Sequence, residues 1–71
     1  MHHYYFHVKR GQLTVLDDVG VELADIAEAT REAMRRAQEI VSRNSLEAIP
    51  PIRGAIVIAD DAWQTVLEIP F

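Results

Sequence analysis

Residues 25–44 read DIAEATREAMRRAQEIVSRN, and the reading of this stretch decides the fold. At about 100° per residue, Ile26, Ala27, Ala29, Thr30, Ala33, Met34, Ala37, Ile40 and Val41 fall within an arc of about 160°. Glu28, Arg31, Glu32, Arg35, Arg36, Gln38, Glu39, Ser42 and Arg43 fill the remainder. A helix with one apolar face must lay it on another element. Asp25 is placed as the N-cap, and Glu28 three residues on completes a capping box that satisfies free amides of the first turn. The helix is predicted to run about 18 residues to Arg43 or Asn44, about 27 Å at 1.5 Å per residue. Residues 45–51 end it, because Pro50 and Pro51 cannot continue a helix and bias their predecessors to extended conformations.

The flanking segments supply the surface that this helix covers. Tyr4, Phe6 and Val8 alternate with Tyr5 and His7, which predicts a first strand over residues 4–8. Gly11 marks a turn, and residues 13–16 resume as a second strand, so the pair is read as a hairpin. Asp17, Asp18 and Gly20 are turn formers that lead into the helix. Beyond it, residues 52–59 form a third strand whose run Ala55-Ile56-Val57-Ile58-Ala59 suits a central position. Asp60 and Asp61 turn the chain into a fourth strand over residues 65–69.

The expected architecture is therefore a single α+β domain over residues 1–71 with the order ββαββ. A hairpin, a returning helix and a second hairpin make the strands wholly antiparallel in the order 2-1-3-4, with the helix on one face. Tyr4, Phe6, Val8, Leu13, Val15, Ile56, Ile58, Leu67, Ile69 and Phe71 are the expected sheet contribution to the core. The small side chains of Ala29, Ala33 and Ala37 let the helix sit close.

One helix covers one side of the sheet. The other carries Tyr5, His7, Thr14, Ala55, Val57, Val66 and Leu16, too apolar a group to be left wholly wet. A contiguous patch of this kind marks an interface, and two-fold pairing is the commonest way for a small domain to hide it. Size points the same way: about 60% of the unfolded surface is hidden in so short a chain, and no cysteine is present to form disulfides. A homodimer is the expectation, with Tyr5, His7, Thr14, Val57, Val66 and Trp63 as the candidate interface. Trp63 stands where a hairpin turn favours a small residue, and it either folds onto the edge of the core or stands out as an anchor for a partner.

Chemistry-bearing constellations are sparse. His2 and His3 point opposite ways in an extended chain, and no carboxylate is fixed near them, so no metal site is expected. The acidic residues Asp17, Asp18, Glu22 and Asp25 lack the spacing of a calcium loop. No nucleophile and base pair can be drawn from Ser42 and Ser45, and the glycines at 11, 20 and 54 form no phosphate loop. No catalytic residues and no cofactor are expected, hence no enzyme; a metal-dependent or hydrolytic enzyme using His7 is the remote competitor. The arginines of the helix interleave with Glu28, Glu32 and Glu39, as in a solvated face. With a net charge of −4 and a pI near 5.1, nucleic acid is an unexpected partner. No run is long and apolar enough for a membrane span, and the N-terminus lacks the pattern of a signal peptide. Cytoplasmic residence is the expectation.

The opening Tyr4-Tyr5-Phe6-His7-Val8, the segment Asp18-Val19-Gly20-Val21-Glu22-Leu23-Ala24-Asp25, Glu28-Ala29 with Glu32-Ala33, and the closing Ile69-Pro70-Phe71 together resemble an uncharacterised family of short alphaproteobacterial proteins. Its members look like Tyr-Phe-Phe-His at the start and Val-Pro-Phe at the end. The resemblance implies the ββαββ reading and a bacterial cytoplasmic origin and carries no activity; Trp63 replaces the glycine usual near the last hairpin. The Tyr-rich first strand and the Glu-Ala and Ala-x-x-x-Ala patterns of the helix are also similar to HicB-type antitoxin domains. That similarity implies a module that neutralises a protein toxin and pairs through its sheet. The third strand before the helix and the DNA-binding tail usual there are not read in this sequence.

Overall fold

The computed structural model describes residues 1–47 and 53–71, with residues 44–47 by backbone alone. Among the described residues the fold is α+β, one helix on a five-stranded antiparallel sheet: β1 (His2–Arg10), β2 (Leu13–Val15), β3 (Val21–Leu23), α1 (Ile26–Glu47), β4 (Gly54–Ala59) and β5 (Thr65–Pro70). Four strands lie side by side as β2-β1-β4-β5. The fifth, β3, corrects the expected count of four: residues 17–20 do not simply turn into the helix but lead to a strand paired with the start of β1.

β2 and β3 run in line along one edge of β1. Val8 faces Val15 and Tyr4 faces Val21, so residues 5–7 are spanned by residues 16–20, an insertion of two. Phe6 N–H and the Tyr4 carbonyl both point to this edge, meeting Asp17 and Gly20. The interruption is a large bulge.

α1 starts as its sequence dictates. Asp25 Oδ1 accepts the Glu28 amide at 3.0 Å, and Glu28 Oε2 reaches back to the Ala24 amide at 2.8 Å, one residue earlier than in the usual box. The helix extends past the predicted end to Glu47, while Pro50, Pro51 and the expected start of the next strand at Ile52 lie outside the described residues. Ala29, Ala33 and Ala37 form its buried line. Glu32 takes hydrogen bonds from Arg35 first and from Arg36, which hold its carboxyl down to about 2, and Arg35 also pairs with Glu39.

The core gathers Tyr4, Phe6, Ile56 and Ile58 under the three alanines, with Val8, Ile69 and Phe71 packed partly buried at the margin. Leu13, Val15 and Leu67, expected there, are exposed at 65%, 55% and 36%. For Leu13 and Val15 the reason is geometric: α1 packs on β3, β4 and β5, so β2 projects beyond its cover. A groove of about 330 Å³ runs between α1 and β5, lined by Met34, Ala37, Gln38, Val41, Ile69 and Phe71 among others, and leaves Met34 and Val41 half open.

Gly54 begins β4 where the strands approach too closely for a side chain. A Cβ there would overlap the Lys9 carbonyl oxygen. Gly54→Ala should therefore cost about 1–3 kcal/mol, measured as a lower urea midpoint at unchanged m-value; an unaltered midpoint would refute this close approach.

Candidate interaction face

The side of the sheet away from α1 is built from alternate residues of β1 and their cross-strand partners. His7 faces Val57, Tyr5 faces Ala59, and Lys9 faces Ala55 on one edge and Thr14 on the other. Directly opposed residues share a face. His7 and Val57 are buried at 7% and 6% exposure within the single chain.

Trp63 provides the cover. Its ring stacks on Tyr5 at 4.4 Å and 17°, and on His7 at 5.4 Å and 12°, while His3 packs on Tyr5 from the other end at 4.9 Å. The local cause is the β4–β5 hairpin. Trp63 N–H donates to the Asp60 carbonyl, Asp60 N–H donates to the Gln64 carbonyl, and Asp60 Oδ1 accepts the amides of Ala62 and Gln64. This three-residue loop demands a left-handed third residue, a place that favours glycine. Trp63 occupies it with φ 60°, at a strain of about 1–2 kcal/mol, offset by stacking worth about 0.5–1.5 kcal/mol per pair. Trp63 nevertheless remains 53% exposed. Of the two sequence readings, it both folds over the sheet and presents an outer surface.

The structure thus brings Tyr5, His7, Val57 and Trp63 into one cluster. Thr14 lies one strand outward and exposed. Val66 is 43% exposed in the irregular part of β5, where Ala59 pairs with Thr65. Lys9 Nζ and Glu68 Oε1 lie 3.7 Å apart across the face.

Asp17 is the member that sequence reasoning missed. Its Oδ2 accepts the Phe6 amide at 3.0 Å, its Oδ1 accepts the amides of Val19 and Gly20, and its own N–H donates to His7 Nδ1 at 2.9 Å. The available signal was a carboxylate two and three residues before amides ending in a glycine, the pattern of an Asx turn. Gly20 is required, because it has φ 73° and a Cβ would meet the His3 ring. Partial burial by itself would raise the Asp17 carboxyl; the Phe6, Gly20 and Val19 amides outweigh it, Arg36 adds attraction, and the group ends below 3.8. Among the described residues no three His, Asp or Glu side chains gather as a metal site, and no helix is long and apolar enough to cross a membrane.

Residues 3–71 match the family described as a domain of unknown function (DUF6894). The chain belongs to that family. No curated protein and no solved structure matches it, so its function is unknown.

Asp17→Ala should lower stability by about 2 kcal/mol, the range for hydrogen bonds to a charged acceptor. Because the folded carboxyl lies below 3.8, its contribution is complete above that value and is lost as pH falls through the lower folded value. The gap between wild type and Asp17→Ala in urea titrations should therefore narrow below pH 3.8; a gap that widens there would contradict the assignment.

Proposed function

We propose that the chain is a small non-catalytic interaction module that docks a protein, first of all a second copy of itself, through the face built on Tyr5, His7, Val57 and Trp63, with Thr14 and Val66 at its rim. One observation carries this reading: a tryptophan occupies a left-handed turn position that favours glycine, and half of its surface stays in water. Backbone strain kept at such a position suggests a selected role, and a half-exposed Trp is the side chain most typical of an interface anchor.

The sheet edges favour face-to-face docking over strand addition. The β2–β3 edge is broken by the bulge at residues 16–20. On β5, Phe71 and Gly54 exchange both backbone bonds, so the alternate residue Pro70 turns toward the open edge, where it has no N–H to offer. The acidic net charge of −4 disfavours a nucleic-acid partner. A cysteine-free chain suits a bacterial cytoplasm, the setting we assign to it.

A second reading, a toxin-neutralising antitoxin-like domain, gains support from β3. Three strands, and not two, precede the helix, which supplies the element whose apparent absence set this sequence apart from HicB-type domains. A basic protein encoded beside this chain that binds it with defined stoichiometry, and loses binding on Val66→Glu, would favour that reading.

Sedimentation at tens of micromolar should give twice the chain mass of 8.0 kDa. Trp63→Gly relaxes the turn while removing the stack, so its stability should stay within about 1 kcal/mol of wild type while the dimer is lost. A wild-type chain that sediments only as monomer would sink the homodimer.

A further inference from the structure

We propose that His7 is a proton-operated latch joining the docking face to the bulge at residues 16–20. The effect on docking rests on the reading above, whereas the latch itself does not.

His7 is buried, and its Nδ1 accepts the Asp17 N–H at 2.9 Å. A backbone amide can only donate, so this nitrogen carries no hydrogen and the neutral ring holds its proton on Nε2. A proton added at Nδ1 sets N–H against N–H. The Asp17 amide must then leave, and with it goes one of the ties that hold the bulge to β1. The ring itself need not leave, because its face lies against Trp63 at 5.4 Å and an interplanar angle of 12°, and aromatic faces attract a cation. Protonation transfers the hold of His7 from the bulge to the aromatic stack.

The groups that face His7 permit this exchange. On β1 they are Tyr5 and Lys9, and Lys9 is paired with Glu68 of β5. β4 offers Val57 and no charge. The bulge offers the Asp17 carboxylate, and the hairpin offers Trp63 with Asp60, whose carboxylate is engaged by the Ala62 and Gln64 amides. His3 lies beyond Tyr5 and donates from Nε2 to the Val19 carbonyl at 2.8 Å, a bond that protonation of His3 leaves intact. The Asp17 carboxyl lies below 3.8, so it stays anionic over the interval of about pH 5–8 in which histidine changes charge.

Trp63 is the single tryptophan, and an imidazolium in ring contact quenches indole emission. The test titrates the dilute wild-type chain from about pH 8 to about pH 5, following Trp63 emission, the imidazole ¹⁵N shifts of His7, and amide exchange at Asp17, Val19 and Gly20 corrected for intrinsic rates. The expected result is a loss of emission and about fivefold faster exchange at these amides, the loss of one ordinary hydrogen bond, both tracking the Nδ1 shift. His7→Asn places a non-titrating acceptor where Nδ1 stood and should abolish both changes, while His3→Gln should leave them in place. Constant exchange at residues 17–20 while Nδ1 takes up its proton overturns the latch, as does a transition that persists in His7→Asn. If His7→Asn fails to fold, the wild-type shifts and exchange rates decide alone. Sedimentation in the same buffers tests docking separately: an absent dimer counts against the reading above and leaves the latch to the exchange data.

Discussion

The Asp17 carboxylate is the constraint on which the remainder of the sheet depends. An insertion of two residues opposite β1 leaves backbone groups without a ladder partner, and unpaired amides are costly where water is excluded. Asp17 answers for three of them with two oxygens and passes its own amide to His7. With the bulge closed in this way, the chain re-enters register as β3 against His2, His3 and Tyr4. That pairing sets where α1 begins, since Asp25 caps the helix two residues after Leu23.

From that starting point the helix has little freedom. Ala29, Ala33 and Ala37 present no bulk, so α1 settles close to Tyr4, Phe6, Ile56 and Ile58. Arg36 reaches over the Phe6 ring at 4.4 Å while its Nε holds Glu32, closing the side of the core nearest the bulge. Close packing along a narrow line leaves the flanks of the helix uncovered. This is why Ile26, Met34 and Val41 sit in the apolar arc of the sequence and yet remain exposed. Periodicity reports the direction of the apolar face and not how much of it the sheet is wide enough to cover.

The same distinction explains what the sequence could show. The antiparallel hairpins, the cap at Asp25 and the alanine line follow from local rules of alternation, capping and turn chemistry, and residues carrying those signals lie where expected. Val21 and Leu23 escaped because three residues between a glycine and a helix cap carry no period of their own; only their pairing with β1 makes them a strand. Leu13 and Val15 were assigned to the core by alternation, correct for their side of the sheet, but burial depends on the path of α1. At the candidate face, Tyr5, His7 and Val57 were legible as neighbours from the strand pairing. The burial of His7 was not, because it comes from Trp63 folding across from another hairpin and from an amide of the bulge.

Trp63 and Asp17 thus act on the same histidine from two sides, Trp63 against the preference of its turn and Asp17 from within an Asx turn that its local sequence favours. Glycine would suit the turn better than tryptophan, and an uninterrupted strand would suit the edge better than a bulge tied by a carboxylate. An apolar residue in place of His7 would pack against Trp63 and Tyr5 with less difficulty, though it would leave the Asp17 amide unanswered. The arrangement makes sense if this face and the bulge are meant to sense each other, because His7 takes the Asp17 amide on one side and stacks on Trp63 on the other.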